Sequence, residues 1–363
     1  MPSEKKSRRF PLWFYLTLIA FFAGAFFLLV AIVFATKIFF KAAPIMAKNG
    51  GFINFITEKR ELKGATEGRT NFLVLGLTLD EQRTDSILLL SYYHTEKKIA
   101  AVNIPRDLYT FDGFQHVKLA SVFAFAKARQ PNDPSYPPQF LADLLSREYR
   151  IPIHYWMTLN FLGAREIVDA LGGVTVSVER PFTDYKYPKD DYSGYMDPAP
   201  HFDSGSQMMT GTSALIYMRS RHSQMSSEGS DFARSRRQQR LMQAVMKTAK
   251  EKGMIRNLLK IDRYLEILGK NVYTNMNLNE MFAAAMLLRN IDIGRDFHSM
   301  VWTTGSGFLC DGSASGSYII LYGTNDDCQA EAGSEAPSPY RDEAAEIISS
   351  LLRRTQTGSA KHY

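Results

Sequence analysis

Charged residues recur where apolar runs of this chain begin or end. Arg83 and Asp85 stand at the entrance to the run Ser86–Tyr92, and Arg106 and Asp107 follow Ile104-Pro105. Arg219 and Arg221 are two apart after an apolar stretch, so a locally extended segment would point both the same way. Arg234 and Gln238 are four apart and share a helix face. They fall in the first turn or so of that helix, where free backbone N–H groups and the dipole favour an anion. A guanidinium holds phosphate oxygens in a planar fork and stays protonated. A diphosphate with a divalent cation suits these arginines together with Asp85, because the metal bridges phosphate oxygens and lowers the charge on the group being transferred. A plainer reading stays open: taken singly, each arginine is explained by a surface ion pair with a neighbouring Asp or Glu.

These residues need a scaffold of strand and helix ends. Phe72–Gly76, Ser86–Tyr92 and Lys98–Ile104 read as buried strands, the last two joined by a hairpin at Thr95-Glu96-Lys97. Helical spacing follows over Val117–Arg129 and again around Phe140–Leu145, after Pro137-Pro138. Ile153–Leu159 reads as a strand, Asn160 as the cap of a helix ended by Gly172-Gly173, and Val174–Val178 as an alternating strand. Residues 180–210 read as a long loop of the kind that carries function. Helices are expected over Thr212–Met218, from Ser230-Asp231 to about Lys252, near 257–269, near 277–289 and over 340–354, with short strands over 297–328. Intermixed strands and helices imply an α/β or α+β class with one central sheet.

The chain has 363 residues, a 45% hydrophobic fraction and a formal net charge of +6, which excludes disorder, collagen and a disulfide framework as overall classes. Residues 1–11 hold Lys5, Lys6, Arg8 and Arg9 against Glu4, leaving 39 basic and 36 acidic residues elsewhere. A nucleic-acid partner is therefore not expected. Phe10–Thr36 is an uncharged run of 27 residues, long enough for a membrane-spanning helix and longer than the usual apolar core of a cleaved signal, with a long cleaved signal or a buried core helix as the alternatives. The basic tail before it predicts a cytoplasmic N-terminus and an outward-facing remainder. Cys310 and Cys328 are separated by 17 residues; in an oxidising compartment a disulfide is expected, with two unpaired thiols as the alternative. The seven histidines form no cluster with metal-ligand spacing, and Ser220 with His222 lacks a third partner for a hydrolase triad.

Four blocks occur in one order: Asn71–Arg106, Ile167–Val176 (IVDALGGVTV), Tyr217–Arg221 (YMRSR) and Ser230–Gln239 (SDFARSRRQQ). In these the chain resembles the LytR-CpsA-Psr family. The resemblance implies an α/β fold, an α-β-α sandwich with a central mixed sheet, preceded by a single N-terminal transmembrane helix. It implies a single-pass protein of the cell membrane whose extracytoplasmic enzyme domain moves a glycopolymer from a polyprenyl-pyrophosphate carrier onto peptidoglycan or another cell-wall acceptor, assisted by Mg2+. Carried onto this sequence, Arg83, Arg106, Arg219, Arg221, Arg234 and Gln238 would hold the pyrophosphate, and Asp85 the metal. Arg106, Arg219, Arg221 and Asp231 would form the catalytic set, with Asp231 as an arginine-orienting carboxylate, the acceptor's base, or simply a helix cap. Asp107 would partner an arginine, and Lys118 would face phosphate or solvent. Where the family usually reads Gly-x-Asp, this chain has Gly76-Leu77-Thr78; Asp80 would substitute as metal ligand, or metal binding would weaken. Phe123, Phe125, Phe140 and Phe161 would be core or line a lipid tunnel. The expected organisation is a cytoplasmic tail at 1–9, an anchor at 10–36, a stalk at 37–69, a catalytic domain at 70–252, an extension at 253–330, and a linker with terminal helix at 331–363. A pyrophosphatase acting on the same carrier and a non-catalytic polyprenyl-phosphate binder remain the alternatives.

Overall fold

The three apolar runs fold as an antiparallel meander: β1 (Arg69–Leu77), β2 (Thr84–Tyr93) and β3 (Lys98–Ile104). Lys97 adopts φ 54° in the turn between the last two. The computed structural model describes residues 61–78, 80–189, 193–225, 227–252, 269–289, 291–306, 308–314, 316–323, 342 and 344–346. β6 (Tyr155–Asn160) runs parallel to β1, pairing Leu77 with Asn160. Two later strands complete the sheet: β11 (Val272–Thr274) lies antiparallel to β6, and β12 (Phe297–Val301) parallel to β3. The strand order is β11-β6-β1-β2-β3-β12.

Alternation along the strands buries both faces of this sheet. Leu73, Leu75, Ile87, Leu89, Val102 and Ile104 point to one side, where α1 (Leu119–Arg129) and α2 (Tyr136–Tyr149) cover them with Val122, Phe123, Leu141 and Leu145. Leu88, Tyr92, Ile99 and Ala101 point to the other, toward Met242 and Met246 of α5 (Asp231–Glu251) and Leu287 and Leu288 of α6 (Leu278–Arg289). Removing each such leucine from water contributes about 2 kcal/mol, so the meander is pinned between its two helical layers. The result is the layered α/β arrangement with a mixed central sheet. A second core joins α3 (Phe161–Ala170), α4 (Gly211–Arg219) and α5 to β7 (Val174–Val178). Asn160 caps α3 by accepting from Gly163 N at 2.7 Å, and Gly172 and Gly173, both at positive φ, turn the chain out of that helix.

Some expectations shift. His116–Lys118 is strand β5, paired with β4 (Tyr109–Phe111), so α1 begins two residues later than the periodicity implied. The expected loop 180–210 holds β8 (Phe182–Thr183), β9 (His201–Phe202) and β10 (Gly205–Met209), the last paired with β7. Two-residue strands carry no readable period; Phe182 and Phe202, stacked at 5.2 Å, hold them together. The boundary expected at 252 does not divide the sheet, because β11 and β12 from the expected extension form its two edges. Of the four phenylalanines, Phe123 and Phe161 are buried, while Phe125 is exposed. Beyond β12 lies the hairpin β13 (Leu309–Ala314) and β14 (Ser317–Tyr322). Cys310 in β13 is disulfide-bonded, while Cys328, the chain's other cysteine, lies outside the described residues. The expected membrane segment 10–36, the stalk to residue 60 and residues 257–268 of the expected helix near 257–269 also lie outside them, as does most of 340–354, of which Ala344 and Ala345 pack into the first core. Among the described residues no helix is long and apolar enough to cross a membrane.

Candidate functional site

The sheet delivers several charged residues to one end. β1 and β6 finish there, β2 starts there, and Ile87 pairs with Ile104 just before Arg106. The start of α5 is brought to the same place. Ser230 caps that helix, accepting from Ala233 N at 3.1 Å, so capping does not occupy the Asp231 carboxylate.

Asp231 sits among three arginines. Its Oδ1 lies 3.5 Å from Nη2 of Arg234 and 3.9 Å from Nη1 of Arg221, and its Oδ2 lies 3.9 Å from Nε of Arg106. Burial pushes this carboxyl up, but Arg234, then Arg106 and Arg221, outweigh it and hold it below the usual carboxylate range; a side-chain hydrogen bond with Asp107 acts in the same direction. Arg106 donates through Nη1 to Oδ1 of Asp85 and stands 3.7 Å from Oδ2 of Asp107. Lys118 reaches the other oxygen of Asp107 at 3.1 Å. Arg234 also donates to the backbone carbonyl of Asp85 at 3.4 Å. Burial lowers the Arg234 pKa, with Asp231 and Asp85 pulling the other way.

Arg106, Arg221 and Arg234 are thus assembled with Asp85, Asp107, Asp231 and Lys118 into one network. It has spare donor capacity: the buried Nε atoms of Arg106 and Arg234 have no hydrogen-bond partner among the described residues. Burying an unsatisfied polar group costs about 1–3 kcal/mol. Phosphate oxygens, like carboxylate oxygens, are acceptors that a guanidinium fork fits in paired bonds.

The remaining expected residues are placed differently. Arg219, at the end of α4, donates to the Tyr187 hydroxyl at 3.3 Å, and its guanidinium carbon lies 5.5 Å from the ring centres of both Tyr187 and Phe161. Its contacts are aromatic, whereas Arg221 turns to Asp231, so the two do not share neighbours as a simple extended segment would predict. Gln238 donates to the carbonyl of Met218 at 3.4 Å, tying α5 to α4, and its buried Oε1 has no hydrogen-bond partner among the described residues. Arg83 is exposed and makes no ion pair among the described residues; its backbone closes the 78–83 loop through Thr78 N at 3.0 Å. Asp80 accepts from the Thr78 hydroxyl and from Gln82 N at 3.2 Å, and the Thr78 bond is the main cause of its lowered pKa. Thr78 and Asp80 therefore satisfy each other within the loop.

The donor set bears on a metal. Among the described residues no group of three or more His, Cys, Asp or Glu could hold an ion. Asp85 offers one carboxylate whose Oδ2 has no hydrogen-bond partner among the described residues. Mg2+ keeps several waters and is bound by one or two carboxylates plus substrate phosphates. The residues fit a cation that arrives on a diphosphate, and do not fit a cage built from protein alone.

Four residues missed in the sequence hold the site in shape. Buried Asp184 accepts from the backbone N–H of Arg221 at 2.9 Å and of His222 at 3.3 Å. Tyr187 receives Arg219. Arg237, with no exposed surface, donates to Glu228 Oε2 at 2.7 Å and to the Ser220 carbonyl, and lies 4.5 Å over the Phe182 ring. These partners fix both ends of the segment between Arg221 and Asp231. Arg237 had a weak signal, as the third arginine of Arg234–Arg237 on a helix; Asp184 had none.

The sequence profile of the LytR_cpsA_psr family matches residues 48–299. This chain belongs to the LytR_cpsA_psr family. The LytR_cpsA_psr match runs from before β1 to the third residue of β12 and takes in every residue of the network, and it stops before the β13–β14 hairpin. Among relatives, the polyisoprenyl-teichoic acid–peptidoglycan teichoic acid transferase TagU of Bacillus cereus is 28% identical over 229 residues, 61% of this chain and 65% of the relative. TagU of Oceanobacillus iheyensis is 29% identical over 217 residues, 58% of this chain and 60% of the relative. The chain thus aligns with less than two thirds of each relative's length. The LytR_cpsA_psr fold is seen in TagT bound to LIIa-WTA, 21% identical with a TM-score of 0.55 over 79% of this chain and 92% of that one. It is seen again in B. subtilis TagV, 17% identical with a TM-score of 0.54 over 78% and 97%.

Proposed function

We propose that this protein is a phosphotransferase that moves a glycopolymer from a polyprenyl-pyrophosphate carrier onto a cell-wall acceptor such as peptidoglycan. The observation that carries this reading is the convergence of Arg106, Arg221 and Arg234 on Asp231, with buried guanidinium N–H groups left over. Such a cluster is suited to a diphosphate. TagU relatives that transfer teichoic acid to peptidoglycan support the substrate class.

In this reading the arginines bind the diphosphate and take up the charge that grows on it. An acceptor hydroxyl attacks the phosphorus that bears the glycan. An O–P bond forms, the bridging P–O bond breaks, and polyprenyl phosphate leaves with the electron pair. Asp231 accepts the hydroxyl proton. Its low pKa in the free protein comes from the arginines; once these turn toward phosphate oxygens, their hold on Asp231 weakens and its basicity rises. Asp85 would hold Mg2+, which supplies charge neutralisation at the phosphates. Arg219, Arg83 and Gln238 would border the diphosphate rather than bridge to Asp231. The uncharged run 10–36 would anchor the chain, with its N-terminus in the cytoplasm and residues after it outside. The disulfide at Cys310 supports an oxidising compartment.

The test uses full-length protein in detergent, a polyprenyl-pyrophosphate glycan and wall fragments, with and without magnesium. Polymer–wall adduct is the expected product. Phosphorylated glycan alone would show hydrolysis instead, and binding without turnover would leave a carrier-binding protein. The mutual engagement of Thr78 and Asp80 favours that last alternative over the pyrophosphatase, since it leaves Asp85 without a second metal ligand.

A further inference from the structure

The β13–β14 hairpin lies outside the family match, yet it is attached to the network. Ile320 N donates to the carbonyl of Asp107 at 2.9 Å, and Leu108 bridges Ile320 in parallel. The residue whose carboxylate meets Arg106 and Lys118 is therefore fixed through its backbone to this hairpin. The register pairs Asp311 with Ile320 and Ser313 with Tyr318, so these four side chains share one face. Ile320 roots that face in the core. Tyr318, two residues earlier, is 48% exposed, and its hydroxyl donates to Asp311 Oδ1 at 2.7 Å. Burial and the Asp311 hydrogen bond push the Tyr318 pKa up, and Asp107 and Asp231 add to the shift. The phenol thus lies within electrostatic reach of the network's own carboxylates and stays protonated.

The chemistry of this face differs from that of the network. Leu309–Ala314 and Ser317–Tyr322 contain no Lys or Arg, and the polar groups presented are a carboxylate, a phenol and a serine hydroxyl. Asp311 would repel a phosphate. A carboxylate beside a half-exposed aromatic ring instead suits a neutral polyol: the carboxylate accepts from sugar hydroxyls, and the ring packs against the apolar C–H face of the sugar. A reaction that joins a hydroxyl to an arginine-bound phosphorus needs such a surface beside the cationic one.

We propose that Tyr318 and Asp311 form the subsite for the acceptor's sugar, presenting its hydroxyl to the diphosphate held by Arg106, Arg221 and Arg234. The inference rests on the transfer reading above and names the acceptor side of that site. The chemical class is a neutral, hydroxyl-rich saccharide chain.

The experiment measures transfer by the full-length protein while the acceptor, soluble peptidoglycan oligosaccharide, and the donor, polyprenyl-pyrophosphate glycan, are varied separately. Tyr318→Ala and Asp311→Asn are each expected to raise the acceptor KM about five- to tenfold, as loss of one or two hydrogen bonds does. The donor KM should stay within about twofold, since a single lost contact moves only the ligand it touches. Tyr318→Phe, which keeps the ring, should show the smaller part of the effect, and thermal unfolding of all three variants controls for folding. An unchanged acceptor KM, or a donor KM that rises in step with it, overturns the subsite. Adduct from wild-type protein with unchanged variants sinks the subsite alone. No adduct from wild-type protein sinks the transfer reading and the subsite with it.

Discussion

Arg237 and Glu228 form a buried ion pair, 2.7 Å from Nη1 to Oε2, across the segment that runs from Arg221 to Asp231. Neither residue need touch substrate, yet both ends of the arginine network depend on where this segment lies. Arg237→Met is expected to destabilise the fold by about 3–5 kcal/mol, because it strands a buried carboxylate. The double variant Arg237→Met/Glu228→Met should recover much of that loss. Urea unfolding of the three proteins checks this; a single variant as stable as wild type would contradict it.

Removing a phosphate-facing arginine should act on turnover. Arg106→Ala is expected to lower the transfer rate at least about 100-fold, the cost of deleting one preorganised charge-stabilising donor. Arg219→Ala should also abolish measurable transfer, although its aromatic seat lies apart from Asp231. Circular dichroism should show both variants folded. Full activity in the pair would end the diphosphate-clamp interpretation.

Asp85 is a network carboxylate whose Oδ2 has no hydrogen-bond partner among the described residues, which suits it to a cation. Chelation with EDTA should stop transfer, and magnesium should restore it. Asp85→Asn keeps the shape and removes the charge, and should raise the magnesium needed for half-maximal rate about tenfold, near the lower end of what a lost metal-site partner costs. An unaltered magnesium titration would show that the cation is bound elsewhere or not required.

Two histidines predict an acid-labile fold. His154 Nδ1 accepts from the backbone N–H of Asn71 at 3.0 Å, and His94 lies 2.9 Å from the Thr70 hydroxyl. Burial lowers both pKa values from the ordinary 6.5. For a base depressed on folding, the unfolded chain takes up protons first, so stability is complete above about pH 6.5 and is lost as pH falls through the folded values. Asp231 and Asp112 are carboxylates depressed from 3.8, and they cost stability only below that pH. Urea midpoints at pH 7.5 and 5.0 should differ in wild type and differ less in His154→Asn. Equal midpoints in wild type would contradict the assignment.

Much of the site was legible because its residues sit at the ends of elements that announce themselves. Ile104-Pro105 before Arg106 and the Ser230-Asp231 helix start are local signals, and local signals survive in one sequence. Asp184 was not legible: its role is to accept from Arg221 N, 37 positions away, and nothing near it marks that distance. Asp80 was read as a metal ligand from its nearness to Thr78, but the same nearness lets the two bond each other. The edge strand β11, of three residues, is a strand because β6 offers it unpaired backbone, and its own composition does not say so, whereas β12 falls within the short strands expected over 297–328.

That edge placement constrains how the protein can be cut, and when it can work. A chain ending at residue 252 would leave the outer N–H and C=O rows of β6 and β3 open, and open edges recruit strands from other molecules. Such a fragment should self-associate even though it contains every arginine of the network. If the chain emerges N-terminus first, the sheet stays unfinished until residue 301 has appeared, and the Asp107 backbone is not tied down until Ile320 follows. On the proposed reading, affinity for a diphosphate would then be a late acquisition of the maturing chain.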